Sequence, residues 1–177
     1  MKKILLLSST FLLSFCQSQK SSLDLSTSKI QKSQLQATSC PSDGTCTLEL
    51  LKNKSIQVNR DEIGYQTYEL LESKDKSVVK FQYTKNVDKS LQDASYVEEV
   101  LFEISNTAQK MELKDNELKE ANLIFGRHCF CKGQAGIFNI SHGNLEVIRN
   151  KSSLDFSVSF KSDKTPQIIE TINGKFN

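Results

Sequence analysis

Residues 153–161 read SLDFSVSFK, and their alternation restricts what this chain can fold into more than any other feature. Leu154, Phe156, Val158 and Phe160 fall on one side of an extended backbone, with Asp155, Ser157 and Ser159 on the other. A helix would scatter the four apolar side chains around its circumference, whereas a strand buries them together and leaves the polar set in water. Val79, Phe81 and Tyr83 alternate in the same way with Lys80, Gln82 and Thr84, and Cys46, Leu48 and Leu50 alternate with Thr47 and Glu49. The stretch YVEEVLFEI at 96–104 is compatible with a helical turn, but its Val, Phe and Ile content favours a strand. Spread over residues 40–177, this pattern predicts an all-β, antiparallel domain of about eight to ten strands, either a sandwich or an up-and-down barrel. At most one or two short helices interrupt it. DNELKEA at 115–121 reads as a helical turn, and 166–172 as a second short helix.

Turn signals suggest which strands are neighbours. Lys52-Asn53-Lys54 separates Leu51 from Ile56, residues 73–76 separate Leu71 from Val78, and His142-Gly143-Asn144 separates Ile140 from Leu145. Each is short enough to close a hairpin, so consecutive antiparallel pairing is expected at all three.

The amino terminus, MKKILLLSSTFLLSFC, has different chemistry. Lys2 and Lys3 precede an apolar run over 4–15 that is too short for a permanent membrane span and has the form of an export signal. It ends on Leu13-Ser14-Phe15-Cys16, which resembles the lipobox of bacterial lipoproteins, although Phe15 stands where a small residue is usual. That resemblance implies cleavage after residue 15 and a lipid on Cys16. Residues 17–39 follow as a tract dominated by Ser, Gln, Lys and Thr that carries too little apolar surface to offset ordering entropy, so 16–39 is expected to act as a tether. The chain thus divides into an export segment (1–15), a lipidated tether (16–39) and one β domain (40–177). The expected location is the cell envelope, on the periplasmic face of the outer membrane, with the membrane met through the lipid.

Four cysteines remain after Cys16: Cys40 and Cys46 in CPSDGTC, and Cys129 and Cys131 in RHCFCK. An oxidising compartment favours two disulfides, and four cysteines allow three pairings. In a strand Cys129 and Cys131 would stand about 6.6 to 7 Å apart, at the edge of disulfide geometry, which favours two bonds between the segments over two local loops. The alternative uses of the same residues are a zinc or copper site built from Cys40, Cys46, Cys129 and Cys131, or from Cys129 and Cys131 with His128 or His142, and a thiol-exchange pair at Cys129 and Cys131 beside Arg127 and Lys132. Otherwise no metal or cofactor is expected, because the CxC and Cx5C spacings are not the paired CxxC of strong zinc signals.

The remaining classes thin out quickly. The chain has 23 Lys and Arg against 21 Asp and Glu; without Lys2 and Lys3 it is formally neutral, which argues against nucleic acid as a partner. Only His128 and His142 are present, and no nucleophile elbow, HExxH or phosphate loop occurs, so no catalytic residue is assigned and the chain is read as a non-enzyme. Glu98 and Glu99 are read as surface charge on opposite faces of a strand. A binding or structural module remains, taking an unknown protein or small ligand, with the connection over 85–95 as its candidate contact loop.

CPSDGTC and FGRHCFCKGQAG, followed by an amphipathic strand and PQII, resemble a group of lipoproteins from Flavobacterium-like bacteria of the Bacteroidetes. The resemblance implies export, lipidation and the cysteine pattern, and brings no activity with it.

Overall fold

A computed structural model describes residues 31–32, 40–88 and 90–177. The export segment, Cys16 and the tether, apart from Gln31 and Lys32, lie outside the described residues. Twelve strands are present among the described residues: β1 (Gln31–Lys32), β2 (Gly44–Leu51), β3 (Lys54–Arg60), β4 (Gln66–Glu72), β5 (Lys76–Lys85), β6 (Tyr96–Ser105), β7 (Lys110–Lys114), β8 (Ile124–Cys129), β9 (Gly136–Asn139), β10 (Gly143–Arg149), β11 (Leu154–Phe160) and β12 (Thr171–Phe176). A 3-10 helix over Asp115–Ala121 joins β7 to β8, as its polar sequence predicts.

The strands form a sandwich and not a closed barrel. A six-stranded sheet in the order β1-β2-β5-β6-β8-β9 faces a four-stranded sheet in the order β12-β11-β10-β7. Every pairing is antiparallel. The core between them is made of the predicted alternating side chains: Leu48 and Leu50, Val79, Phe81 and Tyr83, Leu154, Phe156, Val158 and Phe160 are all buried. Phe102 meets Phe156 edge-on, with ring centroids 5.3 Å apart, a favoured aromatic geometry.

The two-stranded ribbon β3-β4 is a third layer. It lies on the outer face of the six-stranded sheet, where Ile56 packs with Val78, Leu101, Ile124 and Ile137. Strand β6 therefore sits between two cores, with Val100, Phe102 and Ile104 facing one and Leu101 facing the other. This explains why YVEEVLFEI is too apolar to alternate: it is buried on both faces.

The three expected hairpins do not form. The turn at 52–53 carries the chain from the six-stranded sheet up to the ribbon, and 73–75 carries it back. The His142-Gly143-Asn144 segment leads from β9 to β10, which belong to different sheets. Gly143 opens β10 with φ 144°, and a Cβ there would stand 2.1 Å from the Ser159 carbonyl oxygen, so glycine serves close strand approach rather than a hairpin tip. The expected helix at 166–172 is absent too. That segment is held extended by Glu98, whose carboxylate accepts bonds from the backbone N–H groups of Ile168 (2.7 Å) and Ile169 (2.8 Å).

Glu98 is fully buried, so removing its carboxylate strands three donors, the two backbone N–H groups and the Tyr96 hydroxyl. The expected outcome for Glu98→Ala is a loss of about 2–4 kcal/mol in denaturant unfolding. A change under about 0.5 kcal/mol, typical of a solvated surface position, would show that these bonds do not fix the 161–170 segment.

Candidate functional site

The disulfides are local. Cys40 bonds Cys46 with Cα atoms 5.8 Å apart, and Cys129 bonds Cys131 at 5.3 Å. The expected bonds between segments are excluded by strand order. Cys46 lies opposite Tyr83, Tyr83 opposite Glu98, and Glu98 opposite Arg127, so three strand spacings, about 14 Å, separate Cys46 from β8. The local bond at 129–131 closes because β8 ends at Cys129 and the chain bends at Phe130, which shortens the span an extended strand would impose. Loops of seven and three residues contribute about 2.4 and 1.6 kcal/mol in the chain-entropy model, against about 4.5 for staples across 80–90 residues. Neither bond is the fold's main support.

These pairings also place the residues of the metal alternative. The four thiols are consumed in two separate bonds, and His128 turns to the opposite face of β8, where its Nε2 meets Glu99 at 2.8 Å. Among the described residues, no group of three or more His, Cys, Asp or Glu side chains is placed to hold a metal ion.

What the sequence reading missed is the cluster around Glu99. Glu98 and Glu99 do point to opposite faces, but neither is surface charge: Glu99 is 5% exposed. Its Oε2 accepts from Lys80 Nζ at 2.9 Å and from the Tyr68 hydroxyl at 3.1 Å, while Oε1 pairs with His128. These partners come from β4, β5 and β8, so one carboxylate ties the ribbon to three strands of the sheet. Gly126, directly across from Glu99, makes the room; a Cβ there would lie 2.7 Å from the Glu99 Cγ. Burial pushes the Glu99 carboxyl up, but the hydrogen bonds and charges of His128 and Lys80 outweigh it and hold the group at about 2. Burial, together with the Glu99 charge, raises Tyr68. The cluster is an ion-paired lock: its acid is ionised and both of its oxygens are occupied. The only sequence signal for it was the pair of acids inside an otherwise apolar strand.

The other feature of note is one end of the sandwich. Residues 40–43, 86–88, 90–95 and 130–135 leave the six-stranded sheet there, as the pairs Gly44–Lys85, Thr84–Val97, Tyr96–Cys129 and Arg127–Gly136 require. Segment 161–170 joins them, since Thr165 Oγ1 donates to the Gln134 carbonyl and Glu98 holds Ile168. The ribbon tip follows, with Tyr65 reaching toward Gly136. Eight large hydrophobic side chains are exposed among the described residues, and six of them, Ile63, Tyr65, Val87, Leu91, Phe130 and Ile168, stand on these loops. Ile63 is 91% exposed and Phe130 80%. Compared with known proteins, the chain matches no protein-family model, no curated protein and no solved structure.

The sign of the Glu99 shift sets a pH test. A folded value of about 2 against an ordinary 4.5 means stability that is present above about pH 4.5 and is lost as pH falls toward 2. The expected contribution is at most about 3 kcal/mol. Urea titrations between pH 6 and pH 2 are expected to show a shallower acid loss in Glu99→Gln than in the wild type; parallel curves would contradict the lock.

Proposed function

We propose that the chain is an exported, lipid-anchored module of the bacterial envelope that binds a partner, without catalysis, through the loop end of its sandwich. The observation that carries this reading is the gathering of six exposed apolar side chains on loops at one end. Soluble proteins seldom leave such groups together in water without a use for them. A sandwich fixes its end loops on a rigid base, which lowers the entropy lost on binding. Phe130 illustrates this: the bond on either side of it closes a three-residue loop and holds the ring outward. A ring presented this way is suited to anchor an interface by filling an apolar pocket on a protein.

The place where β1 joins the sheet supports the same reading. β1 runs antiparallel to β2, with Gln31 opposite Leu50, at the end away from the loops. A lipid on Cys16 then leaves the loop end accessible to partners. The 85–95 connection belongs to this contact surface, together with segments around 63, 130 and 168. Export and lipidation rest on the amino-terminal sequence, and the partner is a protein with an exposed apolar pocket.

Position-dependent crosslinking in cells tests this. A photoreactive amino acid at 63, 91 or 130 is expected to give a discrete adduct with the same protein, while the same group at 71 or 148, exposed apolar positions elsewhere, gives none. Adducts equally frequent at all five positions, or absent from the loop end, would overturn the assignment.

A further inference from the structure

We propose that the Cys129–Cys131 disulfide is a thiol-exchange site that accepts two electrons from a dithiol, while Cys40–Cys46 is structural. The proposal does not depend on the loop end binding a protein through its apolar side chains. Three observations lead to it.

The first is placement. The bond lies at the end of β8 around the most exposed aromatic ring among the described residues, and a loop of three residues gives it the smaller stabilising effect of the two bonds. Opening it frees a bend rather than the sandwich. Cys46, by contrast, lies inside β2 and packs against the main core, and the loop that its bond closes carries Asp43, which accepts a hydrogen bond from the buried Tyr83 hydroxyl at 2.8 Å.

The second is a spare donor. Arg127 and Cys129 share one face of β8, two residues apart. The Arg127 guanidinium lies 5.3 Å over the ring of Tyr96, the residue directly across from Cys129. Its Nη1 donates to Gln134 and Thr165, but its Nε is buried and has no hydrogen-bond partner among the described residues. Buried donors are rarely left unused, and a disulfide sulfur is a poor acceptor. A Cys129 thiolate is a good one. The orphan N–H therefore suits the reduced or exchanging state better than the oxidised one.

The third is charge. Arg127 and Lys132 flank the pair, and nearby cations lower thiol pKa values and so improve the leaving group. The step balances as follows. A thiolate of the incoming dithiol forms a bond to Cys131 Sγ; the Cys129–Cys131 bond breaks, and Cys129 Sγ leaves with the electron pair as a thiolate on the face of β8 that also carries Arg127. The second thiolate of the partner then attacks its own sulfur in the mixed disulfide and releases Cys131, which takes a proton from water. The dithiol has become a disulfide, and this chain has gained the two electrons.

The mature full-length chain with both bonds intact supplies the test. It is treated with graded reduced glutathione, quenched with iodoacetamide and mapped by peptide mass. Labelling of Cys129 and Cys131 at least about tenfold faster than Cys40 and Cys46, with the trapped glutathione adduct on Cys131, is the expected result. Equal rates, faster opening of Cys40–Cys46, or an adduct mainly on Cys129 would overturn the proposal. In the reduced chain the pH profile of Cys129 alkylation is expected to have its midpoint below the ordinary thiol value of about 8.5 and to rise in Arg127→Gln. A midpoint at or above that value in the wild type would remove Arg127 from the site.

Discussion

Strand β6 is buried on both faces and yet carries three glutamates, and the layers of the molecule are arranged around satisfying them. Glu98 faces the sandwich core and holds the backbone of Ile168 and Ile169, which fixes the segment leading into β12. Glu99 faces outward and gathers Lys80, Tyr68 and His128. Glu103, also outward, accepts from the Ile56 N–H at 2.6 Å and pairs with Lys76 at 2.5 Å. Burying a carboxylate costs several kcal/mol unless its oxygens are paired, so each of these must bring a partner from another layer. The hydrophobic cores supply the drive to stack three layers, and the glutamates set how the layers register on one another.

The same arrangement gives the two ends of the sandwich different characters. Within the sheets, polar groups are paired and apolar groups are covered. At the end where both disulfides lie, loops carry Ile63, Leu91 and Phe130 into solvent, and Arg127 keeps an unused donor. The proposed contact surface and the proposed thiol-exchange site both lie on segments that the layered core holds in place.

Period-two alternation made the sandwich strands readable, because the burial of Leu154, Phe156, Val158 and Phe160 depends only on one face meeting a core. Alternation is silent about which core that is. Ile56 and Val58 read like any strand, so nothing near Lys52-Asn53-Lys54 showed that the chain was changing layers. The glutamate cluster was hidden for a related reason: its hydrogen-bonded pairs lie 12 to 31 residues apart in the sequence, and a pair of acids in isolation resembles surface charge. The disulfides were misread because the spacing argument extended β8 through Cys131, while the strand stops at Cys129. Local chemistry was informative for the alternating strands and the helical turn at 115–121, and failed where a long-range partner or the exact end of a strand decides.

Hydrogen exchange on Glu103→Ala tests most directly whether β6 pins the outer layer through its carboxylates. The account expects amides of the ribbon over 54–72, Ile56 first, to lose protection while β5, β6 and β8 keep theirs, since the variant detaches one layer without opening the sandwich. Unchanged protection in the ribbon, or an even loss across all strands, would contradict it.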